Sequence, residues 1–157
     1  MPKKLFDVDE TEEVARILFA PSMVKGDRVT AGAFALTILA SGDEEEYLSV
    51  WRTKFRIPTR DNVKFKPREK GDSLFGYAQL LVSTIHKQDI ANCQARVKRD
   101  SPNQNAYHVG VYYTLNSKLI VGKHMPKELL LLLGRISKNA TTHKFPSITT
   151  NLTPSAI

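Results

Sequence analysis

Apolar positions in this chain fall into short runs between polar, turn-forming stretches, and their spacing predicts most of the elements. Val14, Ile17 and Leu18 recur at helical spacing behind a cluster of acids, so residues 7–20 are expected to form a first helix. Asp7 or Asp9 would accept from the amides of its first turn, Glu10, Glu12 and Glu13 would suit the positive end of its dipole, and Pro21 would stop it. Lys25-Gly26-Asp27-Arg28 reads as a turn in which Gly26 takes a positive φ. Residues 29–39 are small and apolar, and their spacing leaves a strand and a short buried helix equally open. An acidic loop over 41–46 leads into a strand at 47–52, rich in aromatic and β-branched residues.

Further on, Leu74, Tyr77, Ala78, Leu81 and Ile85 follow helical spacing behind Ser73, predicting a second helix that ends near His86 and Lys87. Strands are expected over 90–98, 107–113 and 119–121, with a loop of turn formers at 100–105. A last helix should begin at Pro126 and run to about Ser137, with Leu129, Leu132, Leu133 and Ile136 on one face and Leu130 and Leu131 off it. A helix apolar on more than one side is either central or covered by a partner, so this one is a candidate protein interface, including that of a homodimer. Residues 139–157 are polar, Thr-rich and without period, and read as a tail behind one α+β domain over 1–138. The domain is expected to be mainly an antiparallel sheet with about three helices.

The stretch from Trp51 to Lys70 has a pattern of its own. Arg52, Lys54 and Arg56 alternate with Trp51, Thr53, Phe55 and Ile57, while Lys64 and Lys66 alternate with Val63 and Phe65. Period two means strand, and Pro58-Thr59-Arg60-Asp61-Asn62 breaks it in the middle, so a protruding basic hairpin is expected. Its apolar side, Trp51, Phe55, Ile57, Val63 and Phe65, should lie on the core and its basic side in water. The stretch holds eight basic residues (Arg52, Lys54, Arg56, Arg60, Lys64, Lys66, Arg68, Lys70) against two acids, a surplus of six in a chain of formal net charge +7. Charge clustered in this way points to a polyanion, nucleic acid above all. Because the alternation places the aromatic rings opposite the cations, it favours phosphate contact over base stacking.

Composition narrows the class. At 157 residues, 41% hydrophobic and 25% charged, the chain fits one ordinary globular domain. The single Cys93 makes no internal disulfide, and the longest apolar run, 129–133, is too short to span a bilayer, so a cytoplasmic protein away from membranes is expected. His86, His108, His124 and His143 lack metal-ligand spacing with one another or with Cys93, and neither a phosphate loop nor a nucleophile elbow occurs. No metal or cofactor is expected.

The candidates for chemistry are His108, placed to open a strand after a polar loop, Arg28 after the glycine turn, Ser49 inside a strand, and Tyr107. An imidazole serves as acid or base near neutral pH, a guanidinium clamps phosphate or carboxylate, a serine can be a nucleophile, and Tyr107 can orient a ligand. The same four residues also have plain structural uses, as a backbone-bonded histidine, a surface arginine and strand filling. Gly26-Asp27-Arg28-Val29-Thr30-Ala31-Gly32-Ala33-Phe34, then Tyr47-Leu48-Ser49-Val50, and later Asp100-Ser101-Pro102 before Tyr107-His108-Val109, together resemble a pattern in small uncharacterised prokaryotic proteins. There a glycine–arginine pair, a Ser/Thr, Ala-Phe and Leu-Ser-Val precede a strand-opening histidine. Here Asp27 separates Gly26 from Arg28, and the basic stretch looks like an insertion. The resemblance carries no activity, but it groups Arg28, Ser49 and His108.

The leading expectation is a non-enzymatic nucleic-acid-binding protein that contacts the phosphate backbone through a β-ribbon at 51–70, alone or as a subunit of a larger prokaryotic assembly. The alternatives are a small hydrolase or transferase acting on a nucleotide or nucleic acid through His108 and Arg28, and a protein-interaction module docking on an acidic partner.

Overall fold

The computed structural model describes residues 4–39, 41–64, 67 and 69–146. Its frame is an eight-stranded sheet in which every paired neighbour is antiparallel. The central strands are β2 (Glu13–Ala20) and β5 (Leu48–Arg52). Beside β2 lie β6 (Ser73–Leu81) and the edge strand β10 (Thr141–Lys144). Beside β5 lie β8 (His108–Leu115), β7 (Cys93–Arg99) and the short edge β1 (Phe6–Asp7), while β9 (Lys118–Leu119) pairs antiparallel with the end of β8. A separate hairpin pairs β3 (Val24–Lys25) with β4 (Arg28–Val29) around Gly26, whose φ of +65° is the left-handed value expected of that turn.

Residues 13–20 are strand, not helix. Six consecutive residues, Val14 to Phe19, are buried, all but Arg16 apolar, because a central strand packed on both faces lacks the alternation of a half-wet one. Within such a run Val14, Ile17 and Leu18 fall at helical spacing by coincidence of composition. The acids ahead of it cap no helix: Asp9 instead closes a turn, accepting from the Thr11 amide at 2.8 Å. The helix expected from Ser73 fails for a related reason. Gly76, Ala78 and Leu80 alternate inward along β6, but two of these are too small to register as a core stripe. Gly76 is required there, since a Cβ would run into the His143 carbonyl of β10. Only the final turn of that stretch is helical, as α1 (Val82–His86).

The last expected helix forms as α2 (Lys127–Asn139), giving two α-helices among the described residues. It packs on one face of the sheet together with a 3₁₀ turn at Ala31–Phe34, which is what the ambiguous 29–39 stretch becomes. Two long polar side chains fasten that turn to the sheet. Tyr113 donates its hydroxyl to the Phe34 carbonyl at 2.8 Å, and buried Arg16 donates Nε to the Ala33 carbonyl at 2.9 Å. The stretch read as a tail contributes an edge strand before it leaves the described residues: Thr141 to Lys144 pair with Gln79 to Gly76.

The basic segment makes no hairpin among the described residues. After Arg52 the chain turns, and residues 53–64 carry no ladder; Phe65, Lys66 and Arg68 lie outside the described residues. Instead the segment straps the second face of the sheet. Arg56 lies over the Tyr107 ring, Ile57 lines a cleft with Tyr77 and Gln79, and Arg60 reaches the Pro146 carbonyl at 3.0 Å beside β10. The expected sidedness fails with the ladder: Trp51 and Val63 are buried as anticipated, but Arg52 is too, while Phe55 and Ile57 are exposed.

On α2, Leu129, Leu132, Leu133 and Ile136 are each at most 1% exposed, whereas Leu130 and Leu131 are 55% and 52% exposed. Leu133→Ala should therefore cost about 2–5 kcal/mol in urea unfolding. Leu130→Lys should change stability by no more than about 0.5 kcal/mol.

Candidate functional site

Arg52 ends β5 and anchors the surroundings of every candidate residue near it. Its Nε and Nη2 donate to the two Glu12 carboxylate oxygens, both at 2.7 Å, and Nη1 donates to the carbonyls of Gln104 at 2.7 Å and Ala106 at 3.1 Å. Both side chains of the pair are 6% exposed. Burial pushes the Glu12 carboxyl up, but hydrogen bonding and charge from Arg52, with Lys54 Nζ 3.5 Å away, outweigh it and leave the pKa below the ordinary value. One guanidinium thus ties the start of β2 to the loop that delivers Tyr107 and His108.

His108 and Ser49 lie on the strapped face. Trp51 is opposite His108 and Ser49 opposite Gly110 across the β5–β8 ladder, so Ser49 and His108 are diagonal neighbours on one face, at roughly 7–8 Å between backbones. Tyr47 fills the space above Gly110, where a Cβ would collide with its ring, and stands 6.5 Å from the His108 ring and 5.2 Å from that of Tyr112. Tyr107 packs edge-on against Trp51 at 5.1 Å and against His108 at 6.3 Å. Burial lowers the His108 pKa, with the Asp100 carboxylate acting in the opposite direction. Burial, with Asp100 and Tyr47 adding to it, pushes the Tyr112 hydroxyl far up. The neutral imidazole is the favoured form, and Tyr112 stays protonated.

Three of the four sequence candidates, Ser49, Tyr107 and His108, thus meet on one patch, and Arg28 does not join them. Arg28 lines a cleft with Ser137, Lys138, Ala140 and Thr142. Thr142 is on β10, four strands from β8, so the separation from His108 is roughly 19 Å at the usual strand spacing. Thr142 also aligns with Ala78 on the helix-covered face, opposite the one that carries His108. Asp100, Tyr47 and Tyr112 are the members that sequence reasoning missed. Asp100 was read as a turn former, and the tyrosines as ordinary strand residues. A period-two count from His108 would have aligned Tyr112 with it.

The basic residues divide into two groups. Arg52 is committed to Glu12 and unavailable to a ligand. Lys54, Arg56, Lys64 and Lys70 are exposed, and half-buried Arg60 is joined to Pro146 and lies 5.9 Å from the Phe145 ring. Lys66 and Arg68 lie outside the described residues. Among the described residues no group of three His, Cys, Asp or Glu side chains is placed to hold a metal.

The fold and this patch define a class: an antiparallel sheet with α2 on one face, a cationic strap on the other and a second, short helix, and no described helix long and apolar enough to cross a membrane. Comparison with models of known families, with curated proteins and with solved structures finds no match. Function is therefore argued from side chains.

The Glu12–Arg52 pair makes the first test. Glu12→Gln leaves a buried guanidinium without its counter-charge and should cost about 3 kcal/mol at pH 7. Because the folded Glu12 pKa lies below the ordinary glutamate value of 4.5, its stabilisation is full above that pH and lost as pH falls through the folded pKa. Urea midpoints measured from pH 7 to 3 should accordingly fall more steeply in the parent than in Glu12→Gln.

Proposed function

We propose that the chain binds nucleic acid through the phosphate backbone, with the basic segment 51–70 as the contact surface. The observation that carries this reading is the exposure of Lys54, Arg56, Lys64 and Lys70 along one surface segment, while Arg52 at its root is neutralised by Glu12. Cations gathered on one strap gain most from a polyanion, whose phosphates displace their own counterions on binding. The contact surface is a pinned strap in place of a hairpin ribbon. The proposed setting is the cytoplasm, alone or within a larger prokaryotic assembly. A protein partner at α2 would meet Leu130 and Leu131, the two leucines outside the core.

Fluorescence anisotropy with a labelled oligonucleotide tests this. Affinity should fall steeply with salt. The quadruple variant Lys54→Gln, Arg56→Gln, Lys64→Gln, Lys70→Gln should lower the slope of log K against log salt by roughly 3 while its circular dichroism stays that of the parent. Parental binding by the variant would overturn the proposal.

A second reading has its own observation, Ser49 and His108 as diagonal neighbours on the strapped face, with the Asp100 carboxylate acting on the charge of His108. Here the chain is a small hydrolase or transferase acting on a nucleotide or nucleic acid. Neutral His108 takes the proton from the Ser49 hydroxyl, and Asp100 steadies the charge that forms on the imidazole. Arg28 has no part in it. On this reading the chain cleaves a nucleotide ester, at a rate that climbs with pH through a value below 6.5. His108→Gln and Ser49→Ala should each reduce that rate about a hundred-fold. Equal residual rates in parent and variants would dismiss it.

A further inference from the structure

Phosphate contact leaves one feature of the strap without a use: its exposed apolar residues. Phe55 is 38% exposed and Ile57 57% exposed, each next to exposed Arg56. Strand alternation would have turned both toward the core, but the loss of the ladder at residue 53 turns them to solvent among the cations.

The Phe55 ring does not hang free. It lies 4.6 Å from the Arg52 guanidinium, itself fixed by hydrogen bonds to Glu12, Gln104 and Ala106, and Lys54 Nζ is 5.0 Å from the ring. One residue on, the Arg56 guanidinium lies 4.1 Å over Tyr107, whose ring is braced edge-on against buried Trp51. Two planar groups, a braced phenyl ring and a stacked guanidinium, therefore stand in the middle of the cationic segment.

That combination suits one form of nucleic acid. Unpaired bases offer open π faces that stack on aromatic rings and guanidinium planes, while the adjoining phosphates take lysine and arginine. A duplex hides those faces, and reading it through its major groove needs a helix or a two-stranded ribbon, neither of which residues 53–64 form. We infer that the strap is a single-strand platform, with Phe55 and the Arg56–Tyr107 stack as base-stacking positions and Lys54 and Lys64 as phosphate contacts for single-stranded RNA or DNA. This rests on the nucleic-acid reading of the same segment and adds the strandedness of the ligand and the residues that read it.

The test compares a labelled 12-nucleotide single strand with its duplex in anisotropy titrations of the full chain at two salt concentrations. The single strand should bind at least ten-fold more tightly. Phe55→Leu, which keeps an apolar group on Arg52 but removes the π face, should weaken single-strand binding about ten-fold with the salt slope of the parent, and Phe55→Trp should restore it. Equal affinity for the two forms, or undiminished single-strand binding by Phe55→Leu, overturns the platform and leaves backbone binding standing. Binding of neither form at low salt overturns both.

Discussion

The ion pair between Glu12 and Arg52 is the interaction on which the end of the sheet nearest the strap depends. Arg52 is the last residue of a central strand and the first cation of a strongly basic segment, so its charge sits where the sheet would otherwise bury an apolar group. A bidentate carboxylate and two backbone carbonyls satisfy that charge, and in doing so they hold the start of β2, the end of β5 and the loop before β8 to one point. Replacing the pair by apolar residues of equal volume need not lower stability. What such residues would not supply is direction, because only the guanidinium fixes both the 104–107 loop and the ring of Phe55.

From that point the two faces of the sheet are closed in different ways. The helix face is closed by volume: α2 sets four side chains into it, and Tyr113 and Arg16 bind the 3₁₀ turn by donating to its carbonyls. The other face is closed by a strap that contributes two buried residues among those described, Pro58 and Val63, and otherwise holds on through Arg56 over Tyr107 and Arg60 beside Phe145 and Pro146. Exposed cation–π contacts are worth about 0.5–1 kcal/mol each, well below the burial of a leucine.

Much of the sheet was legible because strands with one wet face or strong β-propensity announce themselves, as 48–52, 93–99 and 108–115 do. Central β2 was not, since burial on both faces erases the alternation that marks a strand. Nor was β6, where Gly76 and Ala78 face inward for close approach and leave Tyr77 and Leu81 to imitate a helix stripe. At the site, His108, Tyr107 and Ser49 were legible by residue type, but their grouping depends on register, which is a property of paired strands. Arg28 shows the converse: a short-range motif grouped it with His108, and three strands of sheet lie between β8 and the β10 cleft that Arg28 lines.

The basic segment shows why alternation alone does not define a ribbon. Period two from Trp51 to Ile57 satisfies the pattern of a strand, yet a ladder needs a partner, and β5 already has β2 and β8 on its two sides. At Arg52 both ladders run out: its amide donates to the Tyr107 carbonyl at 2.7 Å, and the Thr53 amide makes the last bond, to the Glu13 carbonyl at 3.1 Å. Beyond that last bond the chain turns, and its side chains lose their alternating sides. Phe55 and Ile57 emerge among the cations for that reason, and the same break that removes the ribbon produces the mixed aromatic and basic surface. The distribution of charge in the sequence survives this change, but the geometry with which it meets a ligand does not.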